Sequence, residues 1–447
     1  MAGLACAGEV NGHLSLVGRG IHPWRVQRIT TALDVPRIDS VADYAPLAPT
    51  GGSGTLKSRS TAISASLTFM LGTILLAGCS EKEPGLRAHD GDDRRAGPKE
   101  RLVLGLVLVA AALGLLAIIG AASAPADYTA ALHYWTGSKE HYATLVDRAR
   151  SQGVLMSAEG LRGPKGKALK VGSEGEIYRR LGLEYIAPEL RENQGEIEAA
   201  AVGSLPETVV AEDIQGMVHC HTTYSDGQNT IEEMARAAEA MGMQYITFTD
   251  HSPTASYAGG VKIDRLRAQW EEIDRVQERL RIKLLKGTES DILEYGLLDY
   301  PDYILEKFDV IIASIHARHK MNADQMTDRL LRALKLPLFK IWGHPLGRLI
   351  ESRPPFECRM DEVLDAVAAS RAAIEVNGDP RRLDLEPRWI RAARQRGIKF
   401  VVSTDAHSLR NLENLPYGVA MARRGWLSRG DILNTLPVDE FMDAVRP

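Results

Sequence analysis

Nine side chains with the chemistry of metal ligands recur along the second half of the chain: His219, His221, Asp226, His251, Glu289, His316, His344, Asp405 and His407. Imidazole nitrogen and carboxylate oxygen suit Zn²⁺, Mn²⁺ and Fe²⁺, and a donor set without cysteine argues against a closed structural zinc site. Cys220 stands between two of these residues, but in an extended strand it alternates to the opposite face and reads as core. Nine donors exceed the needs of one ion. Two or three divalent ions a few Å apart can activate a water and clamp the attacking and leaving oxygens of a phosphate ester. One His-x-His pair carries little information. Seven of the twelve histidines follow residue 213, however, and six of those fall at the ends of strand candidates, which chance placement does not explain. Asp226 and Asp405 are also the candidate catalytic carboxylates. Arg348, in Gly343-His344-Pro345-Leu346-Gly347-Arg348, can hold a phosphate oxygen bidentately; an ordinary salt bridge is its alternative, and Arg318, Arg381 and Arg382 are further residues of the same type. Asp250 and Asp291 read as carboxylates that orient ligands or cap turns, and His319 as a surface or substrate-facing residue.

Converging these residues requires a particular architecture. Apolar runs at 217–220, 245–249, 283–287, 310–315, 339–342, 373–376 and 400–403 alternate with amphipathic stretches at 231–241, 263–280, 323–334, 361–369 and 386–396. Strand-then-helix units predict parallel strands joined by right-handed crossovers, hence an α/β domain with a barrel-like sheet over 213–447; periodicity leaves an open sheet as the alternative. In a parallel barrel all strand C-termini open on one face, where active sites are built. Upstream, 138–152 is a helix candidate, turn signals follow at 153 and 160–166, and an acidic stretch at 189–198 leads into a linker ending near Pro206.

The 447 residues suffice for two or three domains. A net charge of -4 does not advertise nucleic-acid binding, though a local basic groove can sit in an acidic protein. The four cysteines, Cys6, Cys79, Cys220 and Cys358, form no CxxC pair and are expected as free thiols. Residues 1–56 are broken by Gly and Pro, show no periodicity and read as poorly ordered. Residues 57–126 combine two apolar stretches with a charged loop. Ser60 opens an apolar stretch that ends in Leu76-Ala77-Gly78-Cys79 and resembles a lipoprotein signal, although it lies far from Met1. The run 102–124, bounded by Leu102 and Ala124, has 23 uncharged residues, against the about 20 that span a bilayer. Arg94, Arg95, Lys99 and Arg101 precede it, so a transmembrane helix there would leave the catalytic part outside. The alternative is that residues 1–125 derive from a fused or misread gene start.

The order His219-x-His221…Asp226…His251…Glu289…His316…His344…Asp405-x-His407 resembles the nine ligand positions of the PHP (polymerase and histidinol phosphatase) family, with none missing. That resemblance implies a metal-dependent, seven-stranded (β/α)7 distorted barrel carrying two or three divalent ions, Mn or Zn, with Fe also compatible. The runs HCHTTYSDG, FTDHS, GTESDIL, ASIHARH, GHPLGR and EVNGDPRRLDL are similar to the PHP domain of bacterial family X DNA polymerases. ALHYWTGSKEHY from Ala131 and GEIYRRLGLEYIAPELRE are similar to the thumb of those polymerases, so 127–206 is expected to be thumb-like with a linker. Such a polymerase also needs a helix-hairpin-helix region and a palm with an Asp-x-Asp pair. Nothing before Tyr128 resembles either, so no polymerase activity is expected, although similarity alone would carry a polymerase name with it. The resemblance implies a phosphoesterase acting on DNA 3′ ends, a 3′–5′ exonuclease or 3′-end-processing enzyme with a repair role and a cytoplasmic catalytic domain. The alternatives are a small-molecule phosphatase of the histidinol-phosphatase type, and a non-catalytic, membrane-tethered DNA-binding remnant. The oligomeric state is not legible.

Overall fold

A computed structural model of the protein describes residues 125–446. The expectations for 1–56, for the apolar runs ending at Cys79 and at Ala124, and for Cys6 lie outside the described residues. Among the described residues no helix is long and apolar enough to cross a membrane, and Cys220 and Cys358 are both free thiols.

The first unit is small. It comprises α1 (Pro125–Trp135), α2 (Lys139–Ser151), a three-stranded antiparallel sheet of β1 (Leu155–Ser157), β2 (Gly160–Arg162) and β3 (Ala168–Leu169), then α3 (Glu174–Arg180) and α4 (Glu196–Ala201). Ser138 caps α2 by accepting from His141 N (3.0 Å), which fixes where the helix begins. Leu145, Ala149, Met156, Leu161, Ile177, Leu181 and Ile197 share one core. Two sequence expectations need correction here. The stretch leading to Pro206 is not all linker: Ile197 and Ala200, three residues apart, bury one face of α4 in that core. The turn-rich segment after Gly153 forms the small sheet, whose strands of two or three residues are too short to show periodicity.

The second unit holds seven parallel strands: β4 (Gly216–Cys220), β5 (Tyr245–Phe248), β6 (Lys283–Asp291), β7 (Val310–Ser314), β8 (Ile341–Trp342), β9 (Ala373–Asn377) and β10 (Phe400–Ser403). They lie side by side in sequence order. Crossover helices α5 (Ile231–Ala240), α6 (Ile263–Gln277), α7 (Asp302–Leu305), α8 (Ala323–Leu334), α9 (Met360–Ala369) and α10 (Pro387–Gln395) connect them. Helices α11 (Leu409–Leu412), α12 (Leu415–Arg424) and α13 (Val438–Val445), which the sequence reading did not anticipate, complete the unit. Helix α5 illustrates the local logic. Thr230 and Glu233 form a capping box, and Ile231, Met234, Ala235 and Ala238 turn inward.

The sheet curls until it is nearly closed. His221 N donates to Ala406 O (2.8 Å) and Ala406 N donates to His219 O (2.9 Å), joining the ends of β4 and β10. Deeper in the seam the buried Asn434 side chain donates to Gly216 O (3.0 Å) and Val402 O (2.8 Å) and accepts from Val402 N (3.0 Å). One amide thus satisfies strand edges that would otherwise be orphaned. Val218, Leu285, Val310, Ile312, Ile341, Ala373 and Val401 fill the barrel, with Phe441 of α13 among them. Phe441 stacks on Tyr245 (centroids 4.8 Å), plugging the N-terminal ends of the strands. Gly216 must be glycine there, because a Cβ would lie 2.1 Å from the Tyr245 ring. The opposite rim is left to polar groups. Arg423 and Arg424 of α12 reach Glu189 (3.0 Å) and Glu192 (2.7 Å), tying the first unit to the barrel.

Candidate metal centre

The nine sequence-derived residues come together at the C-terminal rim. The β4–β5 register slips between Met217 and Cys220, which pair with Ile246 and Phe248. Met217 and Cys220 both join the outer core. Val218 and His219 therefore both lie on the inner side, and a bulge re-aims His219 into the site. His221 follows the strand, and Asp226 sits in the tight turn beyond it. Gly227 closes that turn, where a Cβ would lie 2.5 Å from the His221 carbonyl carbon. His251 follows β5. Strand β6 is longer than its apolar run indicates and contains Glu289 and Asp291 within it. His316, His344, Asp405 and His407 follow β7, β8 and β10. His344 (φ 24°) and Asp405 (φ 49°) have left-handed backbone, a strained conformation for such residues that clusters at functional sites.

Glu289 is the centre of the cluster. Its Oε1 lies 2.6 Å from His344 Nε2 and 3.2 Å from His316 Nε2; its Oε2 lies 2.9 Å from His251 Nδ1, 3.5 Å from His219 Nε2 and 3.6 Å from His221 Nε2. Asp405 Oδ1 is 3.3 Å from His221 Nε2 and 3.6 Å from His219 Nε2. Asp226 Oδ1 is 3.3 Å from His407 Nε2 and 3.6 Å from His251 Nε2. Three overlapping groups result, each with ligand atoms within 4.8 Å of one another: His221, Asp226, His251 and His407; His219, His221 and Glu289; and His251, Glu289 and His316.

Charge and hydrogen bonding fit this donor set to cations. Burial alone would push the Glu289 carboxyl up, but His316, His251, His219 and His344 outweigh it and hold it well below the usual range. Asp405 is likewise held low, against burial, by His219 and Arg382. The ionised carboxylates draw positive charge in turn. Against burial, Glu289 raises His316 to about 10, and the bond to Asp226 raises His407 to about 9. His221, buried beside His407 and His251, is pushed down to about 3 and stays a neutral donor. Both ring nitrogens of buried His221, and Nε2 of buried His219, have no hydrogen-bond partner among the described residues. Buried polar atoms are rarely left so, and unpaired imidazole nitrogens beside ionised carboxylates suit divalent ions.

Outside this ring lies a supporting layer. Glu375 of β9 accepts from His219 Nδ1 (2.6 Å), Ser403 Oγ (2.6 Å) and the His344 backbone N. Sequence reasoning gave it no role. The available signal was a lone carboxylate inside the apolar run of β9, fully buried in the fold. Asp291 accepts from His316 Nδ1 (2.9 Å). Asp250 accepts from Thr222 N (2.8 Å), Ser225 N (3.1 Å) and Gln269 Nε2 (2.6 Å), and so shapes the turn carrying Asp226.

Of the two readings of Arg348, the contacts follow the salt-bridge one. Its Nε donates to Arg382 O (2.9 Å), a second nitrogen donates to Leu383 O, and Nη1 is 3.6 Å from Glu386 Oε1. Two of its nitrogens are thus taken up by loop carbonyls and a third faces a carboxylate. The arginine on the His/Asp/Glu cluster is Arg382, with Nε 2.9 Å from Asp405 Oδ2 and Nη1 buried without a partner among the described residues. Arg381 pairs with Asp379 (2.8 Å) and Arg318 with Glu294 (3.0 Å), while His319 packs near Phe356.

Comparison with known proteins places both units of the chain. Residues 131–192 match the DNA polymerase beta thumb and residues 218–379 match the PHP domain. The chain is 36% identical over 310 residues to a DNA polymerase/3′-5′ exonuclease of Bacillus subtilis (strain 168), covering 69% of this chain and 54% of that one, so it spans about half of that relative. It is 30% identical over 229 residues to a probable phosphatase of Thermoanaerobacter sp. (strain X514), covering 48% of this chain and 89% of that one. A histidinol phosphate phosphatase of Lactococcus lactis, solved with zinc, L-histidinol and phosphate, is 18% identical with a TM-score of 0.36 over 46% of this chain and 93% of that one. The chain belongs to the PHP family of metal-dependent phosphoesterases, joined to a thumb of the family X DNA polymerase type.

Proposed function

We propose that this chain hydrolyses phosphodiesters at DNA 3′ ends, as a 3′–5′ exonuclease or 3′-end-processing enzyme. We further propose that His219, His221, Asp226, His251, Glu289, His316, His344, Asp405 and His407 hold two or three ions, Mn or Zn. The observation that carries the DNA reading is that similarity to the Bacillus relative runs through the thumb and the barrel together. A thumb has no use in an enzyme for small phosphate esters.

Divalent ions held at this rim supply Lewis acidity toward the phosphoryl group and a nucleophile from water at neutral pH. The protein does the rest. Glu375 and Asp291 fix the ring orientations of His219 and His316. Arg382 keeps Asp405 in place, and its unpartnered Nη1 takes a phosphate oxygen as charge develops. Asp226, the most exposed of the nine, borders the opening through which a strand end enters. Water oxygen joins phosphorus, the 3′ oxygen of the penultimate nucleotide leaves with a proton, and a nucleoside 5′-monophosphate departs. Nucleotidyl transfer is not part of the proposal.

A small-molecule phosphatase is the second reading, favoured by the match that spans 89% of the probable phosphatase. The test is digestion of a 5′-labelled primer by the full chain in Mn²⁺, beside turnover of phosphomonoesters. Stepwise shortening supports the exonuclease; an intact primer with monoester turnover removes it in favour of the phosphatase.

A further inference from the structure

Tyr257 stands at the mouth of the site on a loop that neither reading above uses. It is 70% exposed, an unusual position for a large aromatic side chain at the edge of a polar cluster. Its ring centroid is 6.2 Å from that of His251 and 6.3 Å from that of His316. The loop beneath it is tightly built. Val261 N donates to His251 O (2.8 Å), Gly260 N to Ala255 O (3.1 Å), Ser252 N to Glu289 O (3.0 Å) and Thr254 N to Asp299 Oδ2 (2.6 Å). Gly260 admits no side chain, since a Cβ would lie 2.2 Å from Ser252 O. The ring is thus presented on a fixed support, and its order is not purchased by burial.

We propose that Tyr257 is the platform on which the terminal base of a single-stranded 3′ end stacks, setting the adjoining phosphodiester over the His251–His316 side of the centre. An exposed aromatic face stacks any base and so positions a strand without reading its sequence. The proposal rests on the DNA reading above and adds the residue that distinguishes a nucleotide-bearing end from any other phosphate ester. Tyr257 acts here as a specificity residue, through its face and not through its hydroxyl.

The test crosses residue with base. Removal of the terminal residue is measured on two single-stranded oligonucleotides, one ending in a normal nucleotide and one in an abasic sugar, with the full-length wild type, Tyr257→Ala and Tyr257→Phe. Tyr257→Ala is expected to raise KM about tenfold on the base-bearing end, within the range for stacking one base, and less than about twofold on the abasic end. Tyr257→Phe should match wild type on both. A second readout needs no turnover: 2-aminopurine at the 3′ terminus should lose fluorescence on binding wild type or Tyr257→Phe and keep it with Tyr257→Ala. Equal losses on the two ends, or a Phe variant as impaired as Ala, overturns the stacking role. A wild-type chain that leaves every oligonucleotide intact while hydrolysing monoesters overturns the DNA reading, and this proposal with it.

Discussion

The thumb-like unit and the barrel rim each contain a buried histidine against a buried glutamate, and the first contact is the same in both. His141 Nδ1 lies 2.6 Å from Glu196 Oε1, and His219 Nδ1 lies 2.6 Å from Glu375 Oε1. The difference is at the other nitrogen. His141 Nε2 meets Tyr178 OH (3.0 Å), and Glu196 also accepts from Asn193 N (2.7 Å) and Gln194 N (2.6 Å). That network is closed and consumes its own polarity. Among the described residues His219 Nε2 has no hydrogen-bond partner, and it faces carboxylate oxygens of Glu289 and Asp405 at 3.5 and 3.6 Å. A closed pair specifies packing; an open pair, costly to bury alone, marks a place where something else binds.

The strongest way to break this distinction is to delete the open partner. His219→Ala or Asp405→Ala should reduce phosphoester hydrolysis on the order of 1000-fold, since each removes a group from the proposed ion-binding ring. Circular dichroism should show the fold retained, because the barrel core does not depend on the rim. Activity near that of wild type in either variant would sink the assignment of the rim as the reactive centre. The same site should respond to chelation: dialysis against EDTA should abolish turnover, and Mn²⁺ or Zn²⁺ should restore it.

Deleting a member of the closed pair should do the reverse. Glu196→Ala leaves His141 and the Asn193 and Gln194 amides without their buried acceptor, at a cost of about 1–3 kcal/mol for each group left unsatisfied. The loss should appear in thermal or denaturant unfolding of the thumb unit, with phosphomonoester hydrolysis unchanged. A Glu196→Ala protein as stable as wild type would mean that the network is decoration.

Glu375 sharpens the comparison because it belongs to the open pair yet touches no proposed ion. Glu375→Gln keeps the shape and removes the charge that orients His219. Carboxylates in this position are worth about 10–100-fold in metal affinity or activity. Metal content by mass spectrometry should fall in step with turnover, and excess Mn²⁺ should recover most of the activity. A variant that binds metal normally and is still inactive would give Glu375 a different role.

How far these roles were legible in the sequence depends on whether the signal was local. The strands announced themselves as apolar runs, and the nine rim residues as His, Asp and Glu at their ends, because a parallel barrel gathers every strand C-terminus on one face. Strand β6 was read short because Glu289 and Asp291 break its apolar run, although backbone pairing with β7 continues through both. Glu375 was missed for a related reason: a charge inside a strand finds its partners, His219 and Ser403, only in three dimensions. The three short strands after Gly153 carry too few residues for any period, and Asn434, which staples the barrel seam, looks like any polar loop residue.

Arg348 and Arg382 show the same limit and supply the smallest expected effect. The sequence reading favours Arg348 over Arg382, though both are arginines in Gly- and Pro-marked loops beside the strands. In the fold Arg348 is spent on the carbonyls of Arg382 and Leu383, while Arg382 rests on Asp405 with Nη1 unpartnered. Arg382→Ala should therefore cost about tenfold or more in kcat/KM, the value of one charge-assisted hydrogen bond to a phosphate oxygen. Arg348→Ala should leave kcat within about twofold and lower stability by about 1 kcal/mol for each lost hydrogen bond to the loop. The reverse pattern, with Arg348 the more damaging in kcat, would mean that the 379–386 loop rearranges when substrate enters and frees the guanidinium that the structure holds on backbone.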